Sequence, residues 1–277
     1  MRELAVKKIL AAAVLLLLAA LCLLFLFGST DEMVTVTYEV ESDKIHAPVR
    51  LALVTDLHSC DYGEGQETLL EAIRQANPDA VLLGGDIIDD DLPRDKGEEF
   101  VTLAAKAYPT FYVSGNHEYW TKDMDGIKEF IRDAGAVVLE GACQTLTVDG
   151  QTIQICGVDD PEGVGEQGFA AQLFQAFQET DPTLFTVLLS HRPECIDQYR
   201  EYAFDLVLSG HAHGGQWRIP GLLNGLLAPN QGFFPDYAGG RYDFPGCTFL
   251  VSRGLARETT GIPRLFNPPE LIILDIT

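Results

Sequence analysis

From Arg50 onward the chain alternates short apolar runs with longer stretches of helical spacing. The runs RLALVT (50–55), AVLLGG (80–85), TFYVSG (110–115), FTVLLS (185–190) and FDLVLS (204–209) read as strands. Between them ETLLEAIRQA (67–76), EEFVTLAAKA (98–107) and MDGIKEFIRDA (124–134) repeat apolar side chains every three or four positions, the spacing of helices. Strands alternating with helices predict an α/β fold. The rhythm changes at QTLTVDGQTIQICGV (144–158), where polar and apolar residues alternate about Asp149-Gly150, a hairpin signal that makes the sheet system mixed. Upstream, MVTVTYEV (33–40) predicts an exposed first strand ending in a turn at Pro48.

The hairpin fixes a register. A two-residue turn at Asp149-Gly150 sets Val148 opposite Gln151, Leu146 opposite Ile153 and Cys143 opposite Cys156, the last a non-hydrogen-bonded pair with Cα atoms about 4.5 Å apart. That distance permits a disulfide. Cys143, Thr145, Thr147, Thr152, Gln154 and Cys156 share one face, so the sulfurs are expected on the more polar side.

Nineteen residues from Ile9 to Phe27 carry no charge and, as a helix, span roughly 28 Å, close to the hydrocarbon thickness of a bilayer. Arg2, Lys7 and Lys8 precede this run, which predicts an N-terminus inside the cell and an extracytoplasmic globular part on a single-pass anchor in the cell membrane. A cleaved signal peptide is the alternative, although the apolar run is long for one and GST is a poor cleavage site. The expected organisation is an anchor or signal over 1–30, a linker with the first strand over 31–48, and one domain over 49–277. Charge changes the picture further. With 41 acidic and 19 basic residues the net charge is −22, which disfavours a nucleic-acid partner.

A polar cluster follows each of the five apolar runs. These are DLHS with Asp56 and His58, GDIID with Asp86 and Asp89, GNHE with Asn116 and His117, SHRPE with His191, and GHAH with His211 and His213. Ligand sites in α/β sheets lie at the carboxyl ends of strands, so the clusters can meet. Five of the six histidines fall in them and only His46 lies elsewhere. Imidazoles beside carboxylates and an amide suit manganese, iron or zinc, and lack the thiolates of a closed structural zinc site.

The ordered series D-x-H, G-D-x-x-D, G-N-H-E, a histidine after a strand, and G-H-x-H resembles the calcineurin-like metallophosphoesterase superfamily over residues 49–277. GHAHGGQWRIPG, VSRGL and PRLFNPPEL are similar to its YkuE and YaeI type of membrane-anchored or exported phosphodiesterases. The resemblance implies a four-layer α-β-β-α sandwich of two mixed sheets flanked by helices. It also implies two divalent cations, with Asp56, His58 and His213 holding the first, Asn116, His191 and His211 the second, and Asp86 bridging. His117 is then a proton donor to the leaving oxygen and Asp89 its orienting carboxylate. In this chemistry the cations acidify a bridging water and clamp the attacking and leaving oxygens of an in-line displacement.

Within that expectation the glycines of GHAHGG let backbone approach the cations, and Arg192 or Arg253 adds positive charge. Glu118, Asp90, Asp91, Asp159 and Asp160 receive no catalytic role, the DDPEG loop (159–163) is a rim turn, and Cys60 is a small buried side chain. The expected substrate is a phosphodiester or a lipid-linked pyrophosphate. PGLLNGLLAPNQGFFP (220–235) either dips into the lipid interface or packs on the sheet edge. Three other readings stand beside this one. A phosphomonoesterase shares the fold, a metal-binding scaffold would tolerate loss of His117 or Asp89, and a secreted nuclease would need a basic track.

Overall fold

The computed structural model describes residues 6–8, 10–12, 14–16, 28, 29, 31–257 and 263–277. Among these, the first sheet has six strands in the order β1 (Val34–Val40), β14 (Glu270–Ile276), β2 (Val49–Val54), β3 (Ala80–Gly84), β4 (Thr110–Val113) and β5 (Val137–Val138). The second runs β12 (Gly240–Phe244), β13 (Cys247–Val251), β9 (Leu206–Ser209), β8 (Phe185–Leu189), β7 (Gln151–Gly157) and β6 (Ala142–Val148). Strands β2 to β5 are parallel, as are β13, β9, β8 and β7, while β14, β12 and β6 pair antiparallel to β2, β13 and β7. Both sheets are therefore mixed.

Alternation along the strands builds the layers. Leu51, Leu53, Leu82 and Val113 of the first sheet meet Ile153, Ile155, Val187, Leu189 and Leu208 of the second in one buried core. Their neighbours Ala52, Val54, Val81 and Leu83 point outward under α1 (Glu67–Ala76), α2 (Asp95–Ala107) and α4 (Met124–Asp133), which follow the short α3 (Asn116–Trp120) in the case of α4. Leu69 and Ile73, one turn apart, bury the inner stripe of α1. On the other side α5 (Pro161–Gln178) and α6 (Ile196–Tyr199) cover the second sheet through Phe169, Leu173, Ala176, Ile196 and Tyr199. Strands buried on both faces read as continuous apolar runs, which is why the five predicted ones stand out.

Helix α5 was not anticipated from the periodicity. Asp160 caps it by accepting from the Glu162 N–H at 2.8 Å, with Pro161 at the first position, but Gly165 (φ 69°) interrupts it and dilutes its apolar stripe. The DDPEG turn is thus a helix start. Residues 34–40 form an edge strand parallel to β14. The hairpin β6–β7 has the predicted register, and Cys143 and Cys156 form a disulfide with Cα atoms 4.0 Å apart. Its face differs from expectation: Cys156 is fully buried and Cys143 half-buried under α5, the Cys143 Sγ lying 3.1 Å from the Ala176 carbonyl. The threonines nearer the turn stay outside the helix, so only the far end of that face is covered. The predicted span from Ile9 to Phe27 lies mostly outside the described residues, and among the described residues no helix is long and apolar enough to cross a membrane.

Candidate metal centre

Strands β2, β3, β4, β8 and β9 end at one edge of the sandwich, and the five polar clusters follow them there. Asp56, His58, Asp86, Asn116, His191, His211 and His213 are all buried. Five of these hold left-handed backbone: Asp56 at φ 49°, His58 at 49°, Asp86 at 53°, His211 at 63° and His213 at 47°. Each such residue costs about 1 kcal/mol or more, so the loops are held against local preference to aim these side chains inward. Glycines make room for them. A side chain at Gly115 would place its Cβ 2.2 Å from Asp86 Oδ1, and at Gly210 2.5 Å from Asp56 Oδ2. Gly214 and Gly215 instead pack on Asn267 and the Gly225 backbone, which corrects the expectation that all of these glycines face the cations.

Donor atoms collect in three groups, one of them made by His58, Asp89 and His117. Asp56, His58 and His213 offer atoms within 4.8 Å of one another, and so do Asp86, His191 and His211. Asp86 lies between these two groups, its Oδ2 3.0 Å from His191 Nε2 and 3.7 Å from His58 Nε2. Among the described residues, Asp56 Oδ2, His58 Nε2, Asn116 Oδ1 and His213 Nδ1 are buried without a hydrogen-bond partner. Unpaired buried polar atoms are destabilising, and four at one locus fit a cation that would satisfy them. His191 makes the same case. Its Nδ1–H donates to the Gly84 carbonyl at 2.8 Å, so Nε2 faces the Asp86 carboxylate as an acceptor unless a proton or a cation lies between them. Without a cation, burial opposes the charged imidazole but Asp86 and Asp56 outweigh it and lift its pKa to about 10. Burial, with the charges of His191 and Arg192 on His211 and of His58 and Arg264 on His213, holds both of those well below the ordinary range. Neutral imidazoles are the form that binds metal.

A second ring of residues orients the donors. His58 Nδ1–H donates to Asp89 Oδ2 at 2.7 Å, leaving Nε2 for a cation. Glu118, fully buried, accepts from the backbone N–H groups of Asp86 (2.9 Å), Gly115 (2.8 Å), Ile87 (2.7 Å) and Ile88 (3.2 Å), locking the GD and GNH loops together. Burial and Asp86 raise its pKa to about 7 against the pull of those donors. Asn267 Nδ2 donates to the carbonyls of His213 (2.7 Å) and Gln216 (3.2 Å), which explains the asparagine in the PRLFNPPEL tail.

His117 shares a donor group only with His58 and Asp89 and is partly exposed at the cleft. Its Nδ1–H donates to Asp90 Oδ1 at 2.6 Å, while Asp89 Oδ2 is 3.5 Å away. The carboxylate in hydrogen-bond contact is therefore Asp90, and Asp89 belongs chiefly to His58. Burial lowers the His117 pKa, but Asp89, Asp86 and Asp90 together raise it to about 9. Arg192 lines the same cleft of about 150 Å³, held bidentately by Asp160 at 2.6 and 2.8 Å. Its Nη1 donates to Asn230 Oδ1 at 2.8 Å, and the same oxygen accepts from His211 Nε2 at 2.9 Å. Arg253 is paired in the same way with Glu270, through 2.6 and 2.7 Å contacts, but does not line this cleft. Asp159 holds Lys128 and Ser114. Cys60 is buried, its Sγ 3.4 Å from the Arg257 backbone nitrogen, and it joins none of the donor groups.

The calcineurin-like phosphoesterase family model matches residues 49–215, more than half of the chain. The chain belongs to that family. The chain is 33% identical to an uncharacterized metallophosphoesterase of Helicobacter pylori (strain J99) over 83% of its own length, and it spans 60% of that relative. It is 28% identical to the uncharacterized metallophosphoesterase YkuE of Bacillus subtilis, covering 82% of this chain and 78% of YkuE, and to phosphodiesterase YaeI of Escherichia coli, covering 83% of each. The fold is similar to that of phosphopantetheinyl hydrolase PptH from Mycobacterium tuberculosis, with TM-score 0.50 and 14% identity over 80% of this chain and 96% of PptH. Family membership places the chain among the calcineurin-like phosphoesterases, and the chain spans about half to three fifths of the length of the Helicobacter pylori relatives it matches.

Proposed function

We propose that the protein hydrolyses a phosphodiester or a lipid-linked pyrophosphate at a centre of two divalent cations, outside a membrane to which its N-terminal apolar run tethers it. The observation that carries the reading is the meeting of buried donors in two groups, Asp56 with His58 and His213 and Asp86 with His191 and His211, with the Asp86 carboxylate 3.7 Å from His58 and 3.0 Å from His191. Asp56, His58 and His213 would hold one cation, and Asn116, His191 and His211 the other, with Asp86 between. Bound there, manganese, iron or zinc would supply Lewis acidity and an activated water.

The chain's own groups do the rest. His117, with Nδ1 committed to Asp90, keeps Nε2 as the nitrogen that gives a proton to the leaving oxygen. Arg192, fixed and charge-paired by Asp160, keeps guanidinium N–H groups beside the second donor group. Asp89 sets the His58 tautomer and Glu118 sets the loop that carries Asp86. The test is to strip the full chain of metal, restore manganese, iron or zinc singly, and assay a model phosphodiester, a phosphomonoester and a lipid pyrophosphate. Metal-dependent cleavage of the diester or the pyrophosphate supports the reading, and preference for the monoester replaces its substrate class. No cleavage with any metal contradicts it.

The disulfide between Cys143 and Cys156 supports an extracytoplasmic location, because such bridges persist in oxidising compartments. Thiol alkylation of unreduced protein in intact cells, leaving both cysteines unlabelled, is the expected result. Labelled cysteines would oppose that location.

A further inference from the structure

We infer that the loop from Ile219 to Phe234 is a membrane-docking surface that seats the cleft against a lipid layer, so that lipid-borne phosphate esters enter it; this deepens the phosphoesterase reading and rests on it. Two consecutive turns keep Ile219, Leu222, Phe233 and Phe234 exposed, while Ala228 between them is buried in the core. The Leu223 N–H donates to the Ile219 carbonyl at 2.8 Å and the Ile219 N–H to the Leu223 carbonyl at 2.9 Å, which leaves Leu222 at the corner, 81% exposed. The ribbon of β10 (Leu227–Ala228) and β11 (Gly232–Phe233) follows, and the Phe234 N–H donates to the Leu226 carbonyl at 2.8 Å. Phe233 and Phe234 are 70% and 66% exposed. Large exposed apolar side chains gathered on one loop mark a binding surface.

Three observations name a bilayer as the occupant. First, Gly28 and Ser29, which follow the uncharged run in sequence, join the fold beside this loop. The Phe266 N–H donates to the Gly28 carbonyl at 2.7 Å, Ser29 is bridged to Leu265, and Leu265 is bridged in turn to Trp217, two residues before Ile219. Second, residues 219–235 contain no charged side chain in a chain that is 22% charged with a net charge of −22, so contact with lipid would be apolar and not electrostatic. Third, the tip of the ribbon reaches the chemistry. Pro229 and Asn230 line the cleft, and Asn230 Oδ1 accepts from both Arg192 Nη1 and His211 Nε2. One short ribbon thus presents phenylalanines outward at its root and a donor-positioning amide at its tip.

The test reconstitutes the full chain with manganese in phosphatidylcholine vesicles and compares a polyprenyl pyrophosphate in the bilayer with water-soluble bis(p-nitrophenyl) phosphate. The combined variant Leu222→Ser, Phe233→Ser and Phe234→Ser should lose at least about tenfold on the lipid substrate and stay within about twofold on the soluble one. Equal effects on both substrates would overturn the proposal. Docking is read separately by Phe233→Trp, whose added indole fluorescence should be quenched by brominated phosphatidylcholine. An unquenched indole, including one shielded by a second copy in cross-linked dimers, would overturn it. If the unaltered chain cleaves neither ester while the indole is quenched, the phosphoesterase reading fails and the membrane surface stands.

Discussion

Left-handed backbone occurs both at the hairpin β6–β7 and at the candidate metal centre, and it has opposite origins in the two places. At the hairpin Asp149 (φ 48°) and Gly150 (φ 86°) are the residues that a tight right-twisted turn selects, so local preference and fold agree. At the centre Asp56, His58, Asp86, His211 and His213 take the same region although glycine would adopt it more easily. Their side chains, not their backbones, decide the choice. The hairpin also closes its reactive pair as a disulfide, whereas the centre leaves buried donor atoms on Asp56, His58, Asn116 and His213 unpartnered among the described residues. Residues that break local rules together, with their polar atoms facing one point, mark chemistry; residues that obey them mark stability.

The largest expected break falls on Asp86→Asn. Losing the carboxylate between the two groups should lower cation content and cut turnover on the order of a thousandfold or more, measured by metal analysis and a diester assay. Next comes His117→Ala, which should cut turnover roughly a hundredfold while metal content stays at the unaltered level. A lost cation there would make His117 a ligand.

Two aspartates sharpen the comparison within the centre. Asp89→Asn removes the partner of His58 and should weaken metal affinity by about 10–100-fold. Asp90→Asn alters the hydrogen bond to His117, and Asp90 joins no donor group among the described residues, so it should lower turnover with metal affinity unchanged. A metal titration of both variants separates them, and identical curves would mean that the two carboxylates share one role. The smallest effect on activity belongs to the hairpin. Cys143→Ser with Cys156→Ser should lower unfolding free energy by about 2–3 kcal/mol in a denaturant titration, with activity near normal. A large loss of activity would couple the hairpin to the centre.

The strand ends were legible because apolar runs buried on both faces are easy to see and each is followed by its donors, as GDIID follows AVLLGG. The hairpin register was legible because Asp-Gly leaves one pairing. Helix α5 was not, since Gly165 breaks its period. The ring around the donors was hidden for a different reason. Glu118 reaches residues about thirty positions away, Asn267 reaches His213 from the tail, and Asn230 reaches Arg192 from a loop, pairings that topology creates and spacing cannot encode. Three adjacent aspartates, 89 to 91, likewise look alike until the loop turns Asp89 to His58 and Asp90 to His117.

The central claim is that the strand ends are shaped around two cations. It is tested most directly by counting them: the full chain, stripped with a chelator, is titrated with manganese while bound metal and diester hydrolysis are followed together. The account predicts two ions per chain, activity that returns as the second site fills, and no recovery in Asp86→Asn. Saturation at one ion or none, or hydrolysis that survives complete metal removal, would contradict it.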